Sequence, residues 1–230
     1  MLPFVRRTYS DDAEYREEIG SVVDGMRLCN HSLMLPELGR EFAEEDLLYL
    51  NTYGTYAEWA QDGSSRRSSS RTSLLRHRRK ACTQIAAWGG GSSDGSTIVG
   101  RNMDGENDFR KSTVLHLLLW AVQPPPPLLR YMHVFWPGMV GTASGLNEAG
   151  VHVMDNDGPS QPYSLRSPFG YNSTSDGWTQ RNVLARARSL ADVPSIIAGF
   201  EPLFPFISSS LPKPCRASLQ HALLPRVAHV

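Results

Sequence analysis

The sequence predicts an α+β protein, and three observations support this prediction. Residues 11–60 carry apolar side chains at roughly helical spacing behind an acidic start, which indicates helices. From residue 82 onward, short β-prone runs alternate with Gly-rich turns, and a second helical stretch follows near residue 176. Helices, strands and helices in this order favour antiparallel strands over the alternating βαβ units of a doubly wound sheet.

Composition limits the classes of function that the chain can have. With 230 residues of which 40% are hydrophobic, the chain can bury a sizeable core in one domain or at most two. Lys plus Arg and Asp plus Glu both number 23, and this neutral balance argues against a dedicated nucleic-acid binder. Three cysteines are too few for a disulfide framework. No run approaches the ~18 apolar residues of a membrane span and no signal peptide is readable, so we expect a soluble protein, cytoplasmic by default.

Changes in composition divide the chain into four parts. Residues 1–61 form an N-terminal helical region whose second helical stretch, from "LPELG" onward, breaks near Gly54. Residues 62–81 form a basic, Ser/Arg-rich linker, which we interpret as an exposed loop. An RNA-binding or phosphorylated Arg/Ser segment and a processing loop are the alternatives for this linker. Residues 82–200 carry the strand pattern and two helices with a break before Pro194, and residues 201–230 form a Pro/Ser-rich tail with no convincing period.

The strand pattern begins with a predicted hairpin. "CTQIAAW" and "TIVGRNMD" are β-prone runs on either side of the turn cluster "GGGSSDGS". Next, "STVLHLLLWAV" is expected to be a buried strand, "PPPP" a loop, and "RYMHVFW" and "GVHVMDN" two further strands. His116, His133 and His152 lie in these apolar runs without metal-ligand spacing, so we expect core or face histidines.

The hairpin would bring a thiol, a guanidinium and a carboxylate together. Cys82 opens its first strand, and Arg101 and Asp104 end its second. A thiolate is the reactive form of cysteine, and a neighbouring cation lowers the pKa of a thiol from its free value of ~8.5. If the chain is cut before Cys82, the new α-amine, with a pKa of ~7.7–8.0, can act as the base for that thiol. The alternatives are a structural cysteine and a surface ion pair between Arg101 and Asp104.

Four stretches carry a family resemblance. "CTQIAAWG", "GRNMD", "WPGMVG" and "SGLNEAGVHVMDN", in this order within residues 40–200, resemble the N-terminal-nucleophile (Ntn) hydrolases. The branch they resemble is the C45 peptidase or acyl-coenzyme A:6-aminopenicillanic acid acyltransferase-like family. The resemblance implies an αββα sandwich, with antiparallel sheets between helical layers. It also implies autoproteolysis before Cys82, with no metal or organic cofactor.

The resemblance also implies roles for individual residues. Cys82 would be the nucleophile and its freed α-amine the base, while Arg101 and Asp104 match the "GRNxD" positions. Asn156 matches the asparagine near the oxyanion site, where one lost donor can cost ~10²–10³ in rate. The alternative for Asn156 is a turn residue. We expect Asn147 to shape a turn between strands.

The implied function is that of a cysteine amidohydrolase or N-acyltransferase acting on a linear small-molecule amide or acyl thioester. The tail at 201–230 does not resemble the family's continuation, so the expected sandwich is incomplete and has an open sheet edge. A truncated, inactive homologue with at most a binding role is therefore the main alternative. A nucleic-acid binder that uses the basic linker is the third, and the neutral charge weakens it.

Overall fold

The computed structural model describes residues 12–29, 32–52, 82–102, 116–157 and 174–200, and the backbone of 206–211 and 219–223. Within these ranges an antiparallel sheet is packed against helices, which confirms the α+β class. None of the helices in these ranges has an apolar stretch long enough to cross a bilayer. The predicted linker at 62–81 and the predicted break near Gly54 lie outside the described residues.

The described N-terminal residues contain two helices with a small hairpin between them. Helix α1 covers Ala13–Leu28, and the Asp12 side chain caps it by accepting a hydrogen bond from Glu14 N at 3.2 Å. Helix α2 includes residues 44–52. Between them a small hairpin, β1 (Met34–Leu35) and β2 (Arg40–Glu41), surrounds a 3₁₀ turn.

The prediction that the second helical stretch starts at "LPELG" is therefore wrong by several residues. Gly39 adopts φ 62°, a left-handed conformation that a continuing α-helix does not contain. This glycine ends the 3₁₀ turn, and the residues on either side of the turn pair as β1 and β2. The helix that the apolar spacing predicted begins only at residue 44.

The predicted hairpin is present, as β3 (Thr83–Gly89) and β4 (Gly95–Asn102). Its register pairs Gln84 with Arg101 and Ala86 with Val99. Alternate side chains point to opposite faces of a strand. One face of the hairpin therefore carries Gln84, Arg101, Ala86 and Val99, and Cys82 precedes Gln84 by two positions on that same side.

The remaining strands form a six-stranded antiparallel sheet in the order β10-β9-β8-β7-β6-β5. The strands are β5 (Leu118–Val122), β6 (Tyr131–Phe135), β7 (Ser144–Asn147), β8 (His152–Asp157), β9 (Phe206–Leu211) and β10 (Leu219–Leu223). The strands predicted around "RYMHVFW" and "GVHVMDN" are confirmed.

The sheet differs from expectation in two places. The C-terminal tail, which does not resemble the family's continuation, contributes β9 and β10, and β9 pairs along β8. The outer strands of this sheet are β5 and β10. The strand predicted within "STVLHLLLWAV" is present as β5, but it is an edge strand rather than a buried one. Leu119 of this strand is 67% exposed.

Helices cover one face of the sheet. Helix α3 (Asp176–Arg186) and helix α4 (Val193–Ala198) follow the predicted pattern, and Pro194 lies in the first turn of α4. Their buried side chains form one core with those of β6 and β8. Its buried members are Tyr131, Val151, Val153, Val183, Leu184, Ala185, Ala187, Val193 and Ile197.

The hairpin lies on the opposite face of the same sheet. Val153 belongs to the helix-side core, so its neighbour Met154 points to the other face. There Met154, which is 4% exposed, packs against Ala86, Trp88 and Val99 of the hairpin. The described residues therefore form three layers: helices, the six-stranded sheet and the β3–β4 hairpin.

Helix α3 approaches the sheet closely at Gly145. A Cβ added to Gly145 would overlap the Leu184 Cδ1 atom of α3 and lie 2.7 Å from Met132 O. Since the backbone carbonyl of Met132 is held by strand pairing, a side chain at this position would have to move the helix or the strand.

We expect Gly145→Ala to destabilise the protein by about 1–3 kcal/mol, the usual cost of overpacking a filled core. Gly25→Ala is the matched control, because Gly25 lies in α1 with nothing within 4 Å of an added Cβ. It should leave stability unchanged or raise it by up to about 1 kcal/mol, the helix-propensity difference. Urea unfolding measures both changes, and equal effects would contradict the close approach.

A buried arginine ties α1 to α3 and the sheet. Arg181 donates to Glu18 Oε2 at 2.7 Å, to Tyr131 Oη at 2.6 Å and to Val140 O at 2.7 Å. Its guanidinium also lies 4.7 Å from the ring centroid of Tyr15. Burial opposes the charge, but the hydrogen bond to Glu18 together with the charges of Tyr131, Glu18 and Tyr15 raises the pKa of Arg181 above its usual range.

We expect Arg181→Met to destabilise the protein by about 3 kcal/mol, because it leaves three buried or half-buried acceptors without their donor. Arg27→Met is the control, since the Arg27–Asp24 pair at 2.8 Å has side chains 53% and 70% exposed. An exposed pair contributes at most about 1 kcal/mol. Equal shifts of the two unfolding midpoints would show that the buried network is not a stabilising contact.

Candidate active site at the end of the hairpin

The Cys82 thiol lies against the guanidinium of Arg101. Arg101 Nη2 donates to Cys82 Sγ at 3.4 Å, and Arg101 Nη1 donates to Ser144 Oγ at 3.2 Å. Cys82 directly precedes β3, and the hairpin register brings Arg101 across from Gln84. The sequence predicted the proximity of Cys82 and Arg101 from this hairpin, whereas it gave no sign of Ser144.

Ser144 belongs to the sheet and not to the hairpin. It is the first residue of β7 and pairs with Val134 on one side and Met154 on the other. Directly opposite residues share a face, so Ser144 and Met154 both point toward the hairpin. The thiol therefore lies where the open end of the hairpin meets the middle of the sheet.

Asn156 is part of strand β8, so the interpretation of it as a turn residue is wrong. It pairs with Ile207 of β9 and follows Met154 by two positions, which puts its side chain on the hairpin face. Its Oδ1 atom is buried and has no hydrogen-bond partner within the described part of the chain. This location is compatible with the role that the resemblance implies, and that role stays a prediction.

Three of the unpaired buried polar atoms lie on this face. Besides Asn156 Oδ1, the buried donors Gln84 Nε2 and Arg101 Nε have no hydrogen-bond partner among the described residues. Leaving a buried polar group unpaired costs about 1–3 kcal/mol, so folded proteins keep few of them. Such atoms beside a thiol are suited to bind the polar groups of a ligand.

Gln84 was not predicted as a site residue. The predicted hairpin does indicate its position, because Gln84 lies two residues after Cys82 and directly across from Arg101. Both facts put it on the side of the hairpin that carries the thiol. Asp104, the remaining predicted site residue, lies outside the described residues, so its role stays a prediction.

Asn147 shapes the turn between β7 and β8, as expected. Its Oδ1 accepts from Val151 N at 2.9 Å, and its Nδ2 donates to Leu184 O at 3.0 Å and Ala187 O at 2.7 Å. These bonds fix the end of α3 on the turn of the sheet. Asn147 therefore has a structural role in the "SGLNEAG" stretch.

The histidine nearest the centre of the sheet is on the wrong face to assist Cys82. His133 pairs with Gly145 and shares the helix side, where it is 3% exposed. Burial, together with the charge of Arg181, lowers the pKa of His133 to about 4. Ser144 and the thiol lie on the other side of the sheet, so His133 is a neutral core residue.

A separate cleft of about 750 Å³ lies at the other end of the hairpin. Its walls include Thr97 at the start of β4, together with Met132, Leu146 and His152 of the sheet. Thr97 precedes Arg101 by four residues, or about 13 Å along an extended strand. The contact of Met154 with the middle of the hairpin lies between the two places. The cleft contains no cysteine among its described walls, so we assign the chemistry to the Cys82 end.

Comparison with known proteins shows a distant structural similarity. No family model matches the chain, and no curated protein matches it. Among solved structures, the chain is similar to the Caenorhabditis elegans ortholog of N-acylethanolamine-hydrolyzing acid amidase, with 14% identity and a TM-score of 0.39. The match covers 62% of this chain and 64% of that one, so it spans less than two thirds of the amidase. The functional assignment therefore rests on the residues around Cys82.

Proposed function

We propose that this protein is a cysteine amidohydrolase or N-acyltransferase of the Ntn type, acting on a linear amide or acyl thioester. The observation that carries the proposal is the hydrogen bond from Arg101 Nη2 to Cys82 Sγ at 3.4 Å. Cys82 is the residue that directly precedes strand β3. A cysteine at this position becomes an N-terminal residue if the preceding peptide bond is cut. The "CTQIAAWG…GRNMD" resemblance supports the same assignment.

Activation is an autoproteolysis before Cys82. The thiol attacks the carbonyl carbon of Ala81, the C–N bond breaks, and the nitrogen leaves as the α-amine of Cys82. A thioester then joins the Ala81 carbonyl to Sγ. Water hydrolyses this thioester, which gives a free carboxyl group on Ala81 and returns the thiol. Arg101 favours the step because a neighbouring cation stabilises the thiolate.

The freed α-amine is then the general base for each turnover. It accepts the thiol proton while Sγ attacks the substrate carbonyl, and it returns the proton to the departing amine. Asp104 is proposed to anchor this ammonium. Among the described residues the hydrogen-bond neighbour of the thiol is Arg101 and not a histidine, which supports assigning the base to the chain terminus.

Negative charge develops on the carbonyl oxygen during attack and requires hydrogen-bond donors. The buried donors Gln84 Nε2 and Arg101 Nε have no partner among the described residues, and Asn156 shares the face between hairpin and sheet. Preorganised donors of this kind each contribute ~10²–10³ in rate. Water or a second amine then resolves the acyl thioester on Cys82, and the scheme uses no metal or organic cofactor.

We predict that Cys82→Ala abolishes self-cleavage and lowers amide hydrolysis by at least ~10³-fold, because the nucleophile is removed. Cys29→Ala is the matched control, since Cys29 is a free, exposed thiol in the same chain. The measurement is the intact mass of each purified protein, followed by its rate of amide hydrolysis. The wild type and Cys29→Ala should yield a fragment that begins at Cys82.

Two outcomes would contradict the proposal. Turnover of amides by Cys82→Ala would exclude Cys82 as the nucleophile. A wild-type protein that stays uncut and releases no amine would favour the alternative, an inactive homologue with at most a binding role.

A further inference from the structure

We infer that Ser144 is a positioning residue that holds the Arg101 guanidinium against the Cys82 thiol. Among the hydrogen bonds of the described residues, Ser144 accepts from Arg101 and only Arg101 donates to the thiol, so Ser144 acts through Arg101. The inference deepens the proposed function by naming what fixes the charge beside the nucleophile. It can be tested without turnover, because the reactivity of a thiol is measurable in an inactive protein.

Arg101 bridges two layers of the fold through its two terminal nitrogens. Nη2 donates to Cys82 Sγ at 3.4 Å, and Nη1 donates to Ser144 Oγ at 3.2 Å. A guanidinium is a rigid, planar fork, so two bonds from different nitrogens fix the orientation of its plane. The third nitrogen, Nε, has no partner among the described residues and cannot add a restraint.

The Ser144 side of this bridge is the rigid side. Strand β7 lies within the six-stranded sheet, with β6 and β8 as its neighbours, and Ser144 itself pairs with Val134 and Met154. The β3–β4 hairpin is a separate two-stranded sheet, and both Cys82 and Arg101 lie at its open end. Such ribbons depend on packing against other elements for their stability. The hydroxyl of Ser144 therefore connects Arg101, at the open end of the hairpin, to the middle of the six-stranded sheet.

Loss of the Ser144 hydroxyl has a definite consequence for the thiol. Arg101 would then keep one bond, to a sulfur that is a weak acceptor, and two of its nitrogens would lack partners. A buried guanidinium in that state gains by turning toward water. The cation would spend less time beside Cys82, and the thiolate would form less readily.

The experiment is the rate of alkylation of each cysteine by iodoacetamide at pH 7 in the purified full chain. Tryptic peptide 28–40 reports Cys29, and peptide 81–101, or 82–101 after self-cleavage, reports Cys82. In variants with Arg101→Ala the Cys82 peptide extends to Arg110. We expect Ser144→Ala to slow alkylation of Cys82 by about 3- to 10-fold, a fraction of what a hydrogen bond to a charged group contributes. Alkylation of the exposed Cys29 should not change.

Thr97→Val is the matched control, because it removes from the same hairpin a buried hydroxyl that has no partner among the described residues and lies away from Arg101. It should leave the alkylation rate of Cys82 unchanged. Ser144→Thr keeps a hydroxyl on a strand position and should restore most of the rate. Thermal unfolding of each variant establishes that it is folded, and Ser144→Thr against the wild type still tests the proposal if Ser144→Ala does not fold.

A double mutant separates positioning from a merely structural role. If Ser144 acts through Arg101, then Ser144→Ala should have no further effect in an Arg101→Ala background. Additive slowing in the double mutant would overturn the proposal, as would equal rates in Ser144→Ala and the wild type. Absence of self-cleavage in every variant would count against the proposed function and would leave this test intact.

Discussion

The packing of the β3–β4 hairpin against the six-stranded sheet is the contact on which the candidate site depends. Met154 forms its centre, buried against Ala86, Trp88 and Val99. Cys82 and Arg101 lie at one end of this contact, and the 750 Å³ cleft lies at the other. Without the contact, Arg101 would lose Ser144 as an acceptor and the thiol would lie on an isolated ribbon. The packing of three apolar side chains around one methionine thus determines the surroundings of a reactive group.

The two faces of the six-stranded sheet differ in how their polar groups are paired. The helix face contains the larger core and the buried Arg181 network, in which Tyr15 donates to Trp178 O and accepts from Asn182 Nδ2. Every polar group named in that network has a partner, as expected where burial serves stability. The hairpin face instead leaves Gln84, Arg101 and Asn156 with unpaired atoms. Two buried nitrogens on the helix side, His133 Nδ1 and Trp178 Nε1, also lack partners among the described residues. The three groups on the hairpin face are therefore relevant to a ligand because they lie on the side of the sheet that carries the thiol, and not because they are unpaired alone.

Local patterns in the sequence predicted the parts of the fold whose contacts are short in range. The hairpin follows from two β-prone runs around a Gly-rich turn, and its register alone brings Arg101 beside Cys82. Ser144 was missed because it lies 43 residues from Arg101 and no local pattern records that contact. Strand β9 was missed for a related reason, since "FISSSL" has no apolar alternation and pairs with β8 across a long separation. The exposure of β5 depends on its edge position, which its apolar composition does not reveal.

The most direct test of Cys82 as a nucleophile is to trap the acyl group on it. The protein would be mixed with a p-nitrophenyl acyl ester, quenched in acid and digested. The mass of each cysteine-containing peptide would then be measured by mass spectrometry. If Cys82 is activated as its contact with Arg101 indicates, the acyl mass should appear on peptide 81–101, or on the fragment that begins at Cys82, and neutral hydroxylamine should remove it. An acyl group on the exposed Cys29 to the same extent, or on no cysteine, would contradict the assignment.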